Sequence, residues 1–176
     1  VQTDALTALP NRIRLKETFE RERKRALREN VPLSLIVLDL DHFKTVNDDY
    51  GHEAGDLLLR HMADKLRQCL RASDLPARLG GEEFGIILAN TGPAQAAEVS
   101  EKIRSEIEAM EVVFEEHILK VTLSGGIATL GADGDSLRSL LREADNRMYE
   151  AKHAGRNQII QVSSQVHEYS GSKEDI

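Results

Sequence analysis

The sequence predicts an α/β (α+β) domain, a single mixed sheet with helices packed on it, and three observations carry that prediction. One nearly continuous apolar run rich in branched residues marks a central strand. Apolar residues recur at helical spacing in three long segments, and two short apolar runs flank a Gly-Gly turn. The run is Leu33–Leu40 (LSLIVLDL), with Pro32 before it and Asp41 after it, a pattern that suits a strand covered on both faces.

The other elements follow in order. Residues 19–29 carry a dense mix of charges (FERERKRALRE) and read as the solvated face of a helix. Residues 53–71 form a helix whose stripe is Ala54, Leu57, Leu58, Met62, Leu66, Cys69 and Leu70. Segments 75–79 and 84–88 flank Gly80-Gly81-Glu82-Glu83 and read as a strand–turn–strand hairpin. A second amphipathic helix spans 93–110, burying Ala97, Ile103 and Ile107. Strands are expected at 112–114 and 119–130. The last helix covers 136–154, with Gly155 where a helix C-terminus ends. A short strand at 157–162 closes the domain, and 163–176 is polar and aperiodic, expected to be a disordered tail.

Composition narrows the function classes. The 176 residues suffice for one domain with its own core. A net charge of −7, from 23 basic and 30 acidic residues, argues against a nucleic-acid binder built on a basic face. One cysteine, Cys69, excludes a disulfide framework and fits a reducing compartment. The six histidines show no zinc-like pairing, and no apolar stretch is long enough for a membrane span. The chain begins at Val1, with no signal peptide after it, so it reads as a piece of a longer protein.

Two acidic motifs carry the chemistry. Asp39 and Asp41 leave the central strand as D-L-D, and i, i+2 side chains of a strand share a face. Such a pair suits Mg²⁺, which takes one or two carboxylates plus substrate phosphates; alone, it serves equally as a polar strand end with a capping aspartate. Gly80-Gly81-Glu82-Glu83-Phe84 sets adjacent carboxylates at a hairpin tip. Its glycines allow positive φ and close approach of a phosphate or metal. If the two motifs converge, they would hold a divalent metal for displacement at phosphorus.

These residues belong to an ordered series of motifs: 4–12 (DALTALPNR), 39–44 (DLDHFK), 47–52 (NDDYGH), Gly55-Asp56, 71–74 (RASD), 80–84 (GGEEF), 122–128 (TLSGGIA), Ala144-Asp145 and 151–157 (AKHAGRN). In this, residues 3–162 resemble the GGDEF family of diguanylate cyclases. The resemblance implies a palm-like nucleotidyl cyclase fold over residues 1–162. It also implies condensation of two GTP into cyclic di-GMP and pyrophosphate by a homodimer with facing half-sites.

Residue by residue, it implies Mg²⁺ (or Mn²⁺) on Asp39, the Leu40 carbonyl, Glu82 and Glu83. Glu82 would also be the catalytic acceptor of the ribose 3′-hydroxyl proton, with Asp41 in support. Guanine would be read by Asn47 and Asp56, with Lys44 and His52 nearby. Phosphates would meet the backbone N–H groups of His42 and Phe43 and the cations Lys152 and Arg156, which otherwise simply complement a helix dipole. Arg71 and Asp74 match an inhibitory site for stacked product, with Lys102 where relatives often have arginine. Ala8 stands where the family usually has glycine, and Glu82 where its name has aspartate. The resemblance further implies a cytoplasmic domain, with no nucleic-acid partner and no direct membrane contact. The alternatives are a catalytically weak domain serving as a cyclic di-GMP or GTP receptor, and a cyclase for adenine-containing product, which Asp56 opposes.

Overall fold

The computed structural model describes residues 2–162, so the tail expected over 163–176 lies outside the described residues. Strand β1 (Leu33–Leu40) is buried along its whole length because both faces are covered. Its alternating side chains divide two cores: Ile36, Leu38 and Leu40 enter one, and Leu33, Leu35 and Val37 the other. On the second side lie α1 (Arg12–Glu29) and α5 (Leu137–His153), through Leu15, Phe19, Leu140 and Ala144. On the first lie α2 (Phe43–Tyr50), α3 (His52–Cys69) and α4 (Pro93–Ala109), through Phe43, Leu58, Met62, Leu66, Ile103 and Ile107.

Local signals set the ends of these helices. The Asn11 side chain accepts the Arg14 N–H at 3.2 Å to start α1, and left-handed Asn30 ends it. Ser136 and Ser139 form a reciprocal cap at the start of α5. The charged face of 19–29 points outward as expected, while Phe19 and Ala26 turn inward.

The main sheet joins β1 to β2 (Leu75–Gly80), β3 (Glu83–Ala89), β6 (Leu123–Thr129) and β7 (Gln158–Ile160), in the order β2-β3-β1-β6-β7. β1 is antiparallel to both neighbours, and β7 runs parallel to β6, so the sheet is mixed. The expected strand 119–130 is in fact two strands. Its first residue, Leu119, ends β5 (His117–Leu119), which pairs with β4 (Val112–Phe114) in a separate hairpin; β6 begins only at Leu123. Alternation cannot mark where a chain leaves one sheet for another, because Leu119, Val121 and Leu123 are all buried across the break. Helix α2 is the other departure: with Phe43 as its one buried residue, it presents no apolar stripe.

Gly126 places α5 directly on β6. A Cβ there would lie 2.0 Å from the Ala144 carbonyl oxygen, so only glycine permits this approach, which carries the end of α5 to the end of β1.

Candidate functional site

The two acidic motifs converge. Antiparallel register sets Asp39 of β1 directly opposite Glu83 of β3, and the Leu40 N–H donates to the Glu82 carbonyl at 3.3 Å. Both side chains are buried, Asp39 at 8% exposure and Glu83 at 6%. Burying two acids side by side costs free energy unless a cation joins them. The ammonium of Lys152, from the last turn of α5, is ion-paired to Asp39 Oδ1 at 2.8 Å. Gly80 (φ 150°) and Gly81 (φ 51°) make the turn before Glu82. A Cβ at either would meet nothing within 4 Å, so backbone conformation rather than crowding calls for glycine there.

A third acid joins them. Asp145 of α5 is buried, its Oδ1 has no hydrogen-bond partner, and burial pushes its carboxyl up to about 6. The Arg12 charge opposes that rise and the Asp39 charge adds to it. The Arg12 Nε–H also donates to the Leu79 carbonyl at 3.0 Å, tying the start of α1 to the strand that leads into the Gly-Gly turn. Sequence reasoning assigned no role to Asp145 or Arg12; a carboxylate beside Ala144 on the apolar stripe was the available signal.

Asp41 follows Asp39 at the strand end, and its side chain reaches Ser124, the residue opposite Asp39 on β6. β1 ends at Leu40, and Asp41 lies in the turn beyond it. Its Oδ1 accepts the Ser124 hydroxyl at 2.7 Å; its Oδ2 accepts the Thr122 hydroxyl at 2.7 Å and the Asn157 N–H at 3.0 Å. Among the described residues no group of three His, Cys, Asp or Glu side chains forms a ready metal cage. The donor set still fits Mg²⁺, which shares its shell between one or two carboxylates, water and substrate phosphates. Asp39 and Glu83, with Glu82 half-buried at the turn, are the residues able to hold it.

Beyond the acids, α2 opens without a side-chain cap. His42 sits at its N-cap in the left-handed region (φ 57°), and the first N–H groups of the helix have no side chain to meet them. Such an end favours anions. Lys44 is exposed in the first turn, and His52 is exposed at the start of α3. Asn47 and Asp56 are half-buried on the adjoining helices α2 and α3. The Asn47 Oδ1 is buried without a partner, and Gly55 makes room for it: a Cβ at Gly55 would lie 1.9 Å from that oxygen. Lys152 is engaged with Asp39, whereas Arg156 is exposed in the turn after α5.

The Arg71 cluster stands at the other end of β3. Arg71 donates to Asp74 Oδ1 at 2.9 Å and Oδ2 at 3.2 Å, to the Ala89 carbonyl at 2.8 Å and to the Thr91 hydroxyl at 2.9 Å. Asp74 is buried while Arg71 stays exposed, so the guanidinium is preoriented at the surface. Lys102 on α4 is close enough to Cys69, two residues before Arg71, for its charge to act on the thiol.

Buried acids at the end of a central antiparallel strand, beside an uncapped helix N-terminus, define a palm-like nucleotidyl cyclase fold. The chain belongs to the GGDEF family: the family described as diguanylate cyclase, GGDEF domain, matches residues 1–158. It is 39% identical over 160 residues to the response regulator PleD of Caulobacter vibrioides, covering 90% of this chain and 35% of PleD. It is 41% identical over 157 residues to diguanylate cyclase DgcP of Pseudomonas aeruginosa, covering 89% of this chain and 23% of DgcP. The chain thus spans about a third or less of these curated relatives. The GGDEF domain of DgcB from Caulobacter crescentus, solved in complex with c-di-GMP, superposes with a TM-score of 0.86 at 31% identity, covering 93% of this chain and 94% of that one.

Proposed function

We propose that residues 1–162 form a diguanylate cyclase domain that condenses two GTP into cyclic di-GMP with release of two pyrophosphates. The observation that carries this reading is the pairing of buried Asp39 with Glu83 across β1 and β3, beside the uncapped start of α2. Bound Mg²⁺ or Mn²⁺, held by Asp39, the Leu40 carbonyl, Glu82 and Glu83, would supply positive charge at the reacting phosphate. Glu82 accepts the 3′-hydroxyl proton. The N–H groups of His42 and Phe43, with Lys152 and Arg156, hold the triphosphate. Asn47 and Asp56 select guanine, with Lys44 and His52 beside them, and Asp56 supplies the acceptor for its N1–H and amine. For Lys152 this means leaving Asp39 when metal and nucleotide bring charge of their own.

Each domain binds one GTP, so the reaction needs a homodimer of facing half-sites, and specific activity should rise with protein concentration. Cyclic di-GMP inhibits from the Arg71, Asp74 and Lys102 surface; a DgcB GGDEF domain solved in complex with c-di-GMP is a precedent for product binding within the family. The domain works in the cytoplasm, without nucleic-acid or membrane contact of its own. No helix among the described residues is long and apolar enough to cross a membrane.

A second reading, a receptor with weak turnover, draws on one observation: the Arg71 cluster is fully assembled, while among the described residues no three-acid cage is. Incubation with GTP and Mg²⁺, with chromatography of the products, separates the two. Cyclic di-GMP should accumulate, and Glu82→Gln should abolish it in a folded protein. Binding of cyclic di-GMP without its formation from GTP would establish the receptor instead.

A further inference from the structure

The turn after α5 is strained and held from outside. Gly155 (φ 112°), Arg156 (φ 64°) and Asn157 (φ 48°) are three successive residues of positive φ, and Arg156 is the one whose side chain disfavours it. Such a run persists where its surroundings over-determine it. Part of the support is local, since the Arg156 N–H donates to the Ala151 carbonyl at 3.0 Å. The rest comes from two distant elements, α4 and the turn after β1. Arg104 of α4 donates to Asn157 Oδ1 at 2.9 Å, the Asn157 amide donates to Glu108, and the Asn157 N–H donates to Asp41 Oδ2 at 3.0 Å.

Asp41 is built for this task. It is 3% exposed, and Ser124 and Thr122 fix its two oxygens from β6 and the residue before it. Three donors meet its carboxylate, leaving about one of its four or so lone-pair sites for anything else. Its neighbour in sequence, Leu40, is tied to Glu82. One short segment therefore joins the acidic pair to the turn that carries Arg156.

We propose that Asp41 is a positioning residue, holding the strained Gly155-Arg156-Asn157 turn so that Arg156 faces the terminal phosphates of GTP. This rests on the reading of Arg156 as a phosphate clamp. Asp41 acts through backbone geometry: its negative charge meets the Asn157 N–H, and Arg156, one residue earlier, is set in place by it. Alanine at 41 removes both acceptor oxygens, so the Asn157 N–H loses its partner, whereas asparagine could turn its one oxygen to keep it.

The test is calorimetry of GTP and of GMP, with Mg²⁺, on the whole chain. Asp41→Ala should weaken GTP by about tenfold, the loss of the charged hydrogen bond that holds the Asn157 N–H. GMP, which lacks the terminal phosphates, should bind unchanged. Arg156→Ala should do the same, and the double variant should be no weaker than the worse single one. Equal losses for GTP and GMP, or none, in Asp41→Ala would overturn the proposal, as would Mn²⁺ affinity falling as far as in Asp39→Ala. An Arg156→Ala variant that keeps its preference for GTP over GMP would refute the clamp itself. Hydrogen exchange on the unmodified protein decides without any variant: the Asn157 amide should be protected, and free exchange there contradicts the tether.

Discussion

Gly55→Ala separates stability from recognition at the guanine-reading pair. The new Cβ would stand 1.9 Å from Asn47 Oδ1 and 3.0 Å from both Asn47 Cγ and Phe43 Cζ, and no real contact is that short. The Asn47 side chain, lying at the end of two rotatable bonds, gives way first. Gly55 is helical, so alanine there gains about 1 kcal/mol in helix propensity, offsetting strain from the displaced neighbours. Stability should therefore change little. The Asn47 oxygen, now buried without a partner, should lose the ligand donor meant for it. An unmet donor in a closed site costs about 1–3 kcal/mol, or roughly 5- to 150-fold in affinity. Calorimetry with GTP and with inosine triphosphate, which lacks the exocyclic amine, measures this directly. GTP should weaken by that factor and its advantage over inosine triphosphate should shrink. A folded Gly55→Ala protein with unchanged affinity for both would refute the assignment of Asn47 and the role of Gly55 together.

Three further outcomes follow from named contacts. Asp145 titrates near 6 in the fold against an ordinary 3.8, so the fold binds its proton more tightly than the unfolded chain does. The stability this gives is full below about pH 4 and lost as pH rises through 6, a change of about 3 kcal/mol at most. Asp145→Asn should flatten denaturation midpoints across that window, measured in chelator; a slope equal to the parent's would show that another group titrates there. Arg71→Ala should reduce cyclic di-GMP affinity by tenfold or more, leaving GTP binding intact, and calorimetry giving equal product affinity would remove the inhibitory surface. Ala8 sits at φ 60°, where a Cβ is unfavourable, so Ala8→Gly should stabilise by about 0.5–1 kcal/mol and raise the melting temperature by about 2 °C.

Much of the site was legible because its signals are local. Gly80-Gly81 before two glutamates announces a tight acidic turn, and D-L-D at the end of an apolar run announces carboxylates at a strand end. Asp41 follows the same local logic: it lies one residue past the end of β1, and its side chain still meets Ser124, opposite Asp39. Asp145 and Arg12 went unread because each matters through a partner more than a hundred residues away.

The sequence by itself determined the class of fold, the central strand, the two acidic motifs and the family, because apolar periodicity and turn chemistry are written within a few residues of one another. Only the tertiary structure decided which carboxylates meet. Register across β1 and β3 sets Asp39 against Glu83, and the glycine-permitted contact of α5 with β6 brings Lys152 to Asp39. Thr122, Ser124 and Asn157, from two distant segments, all donate to the Asp41 carboxylate. The physical reason is range. Hydrophobic patterning acts along the chain, whereas the pairing of buried charges depends on which distant segments the packed core forces into contact.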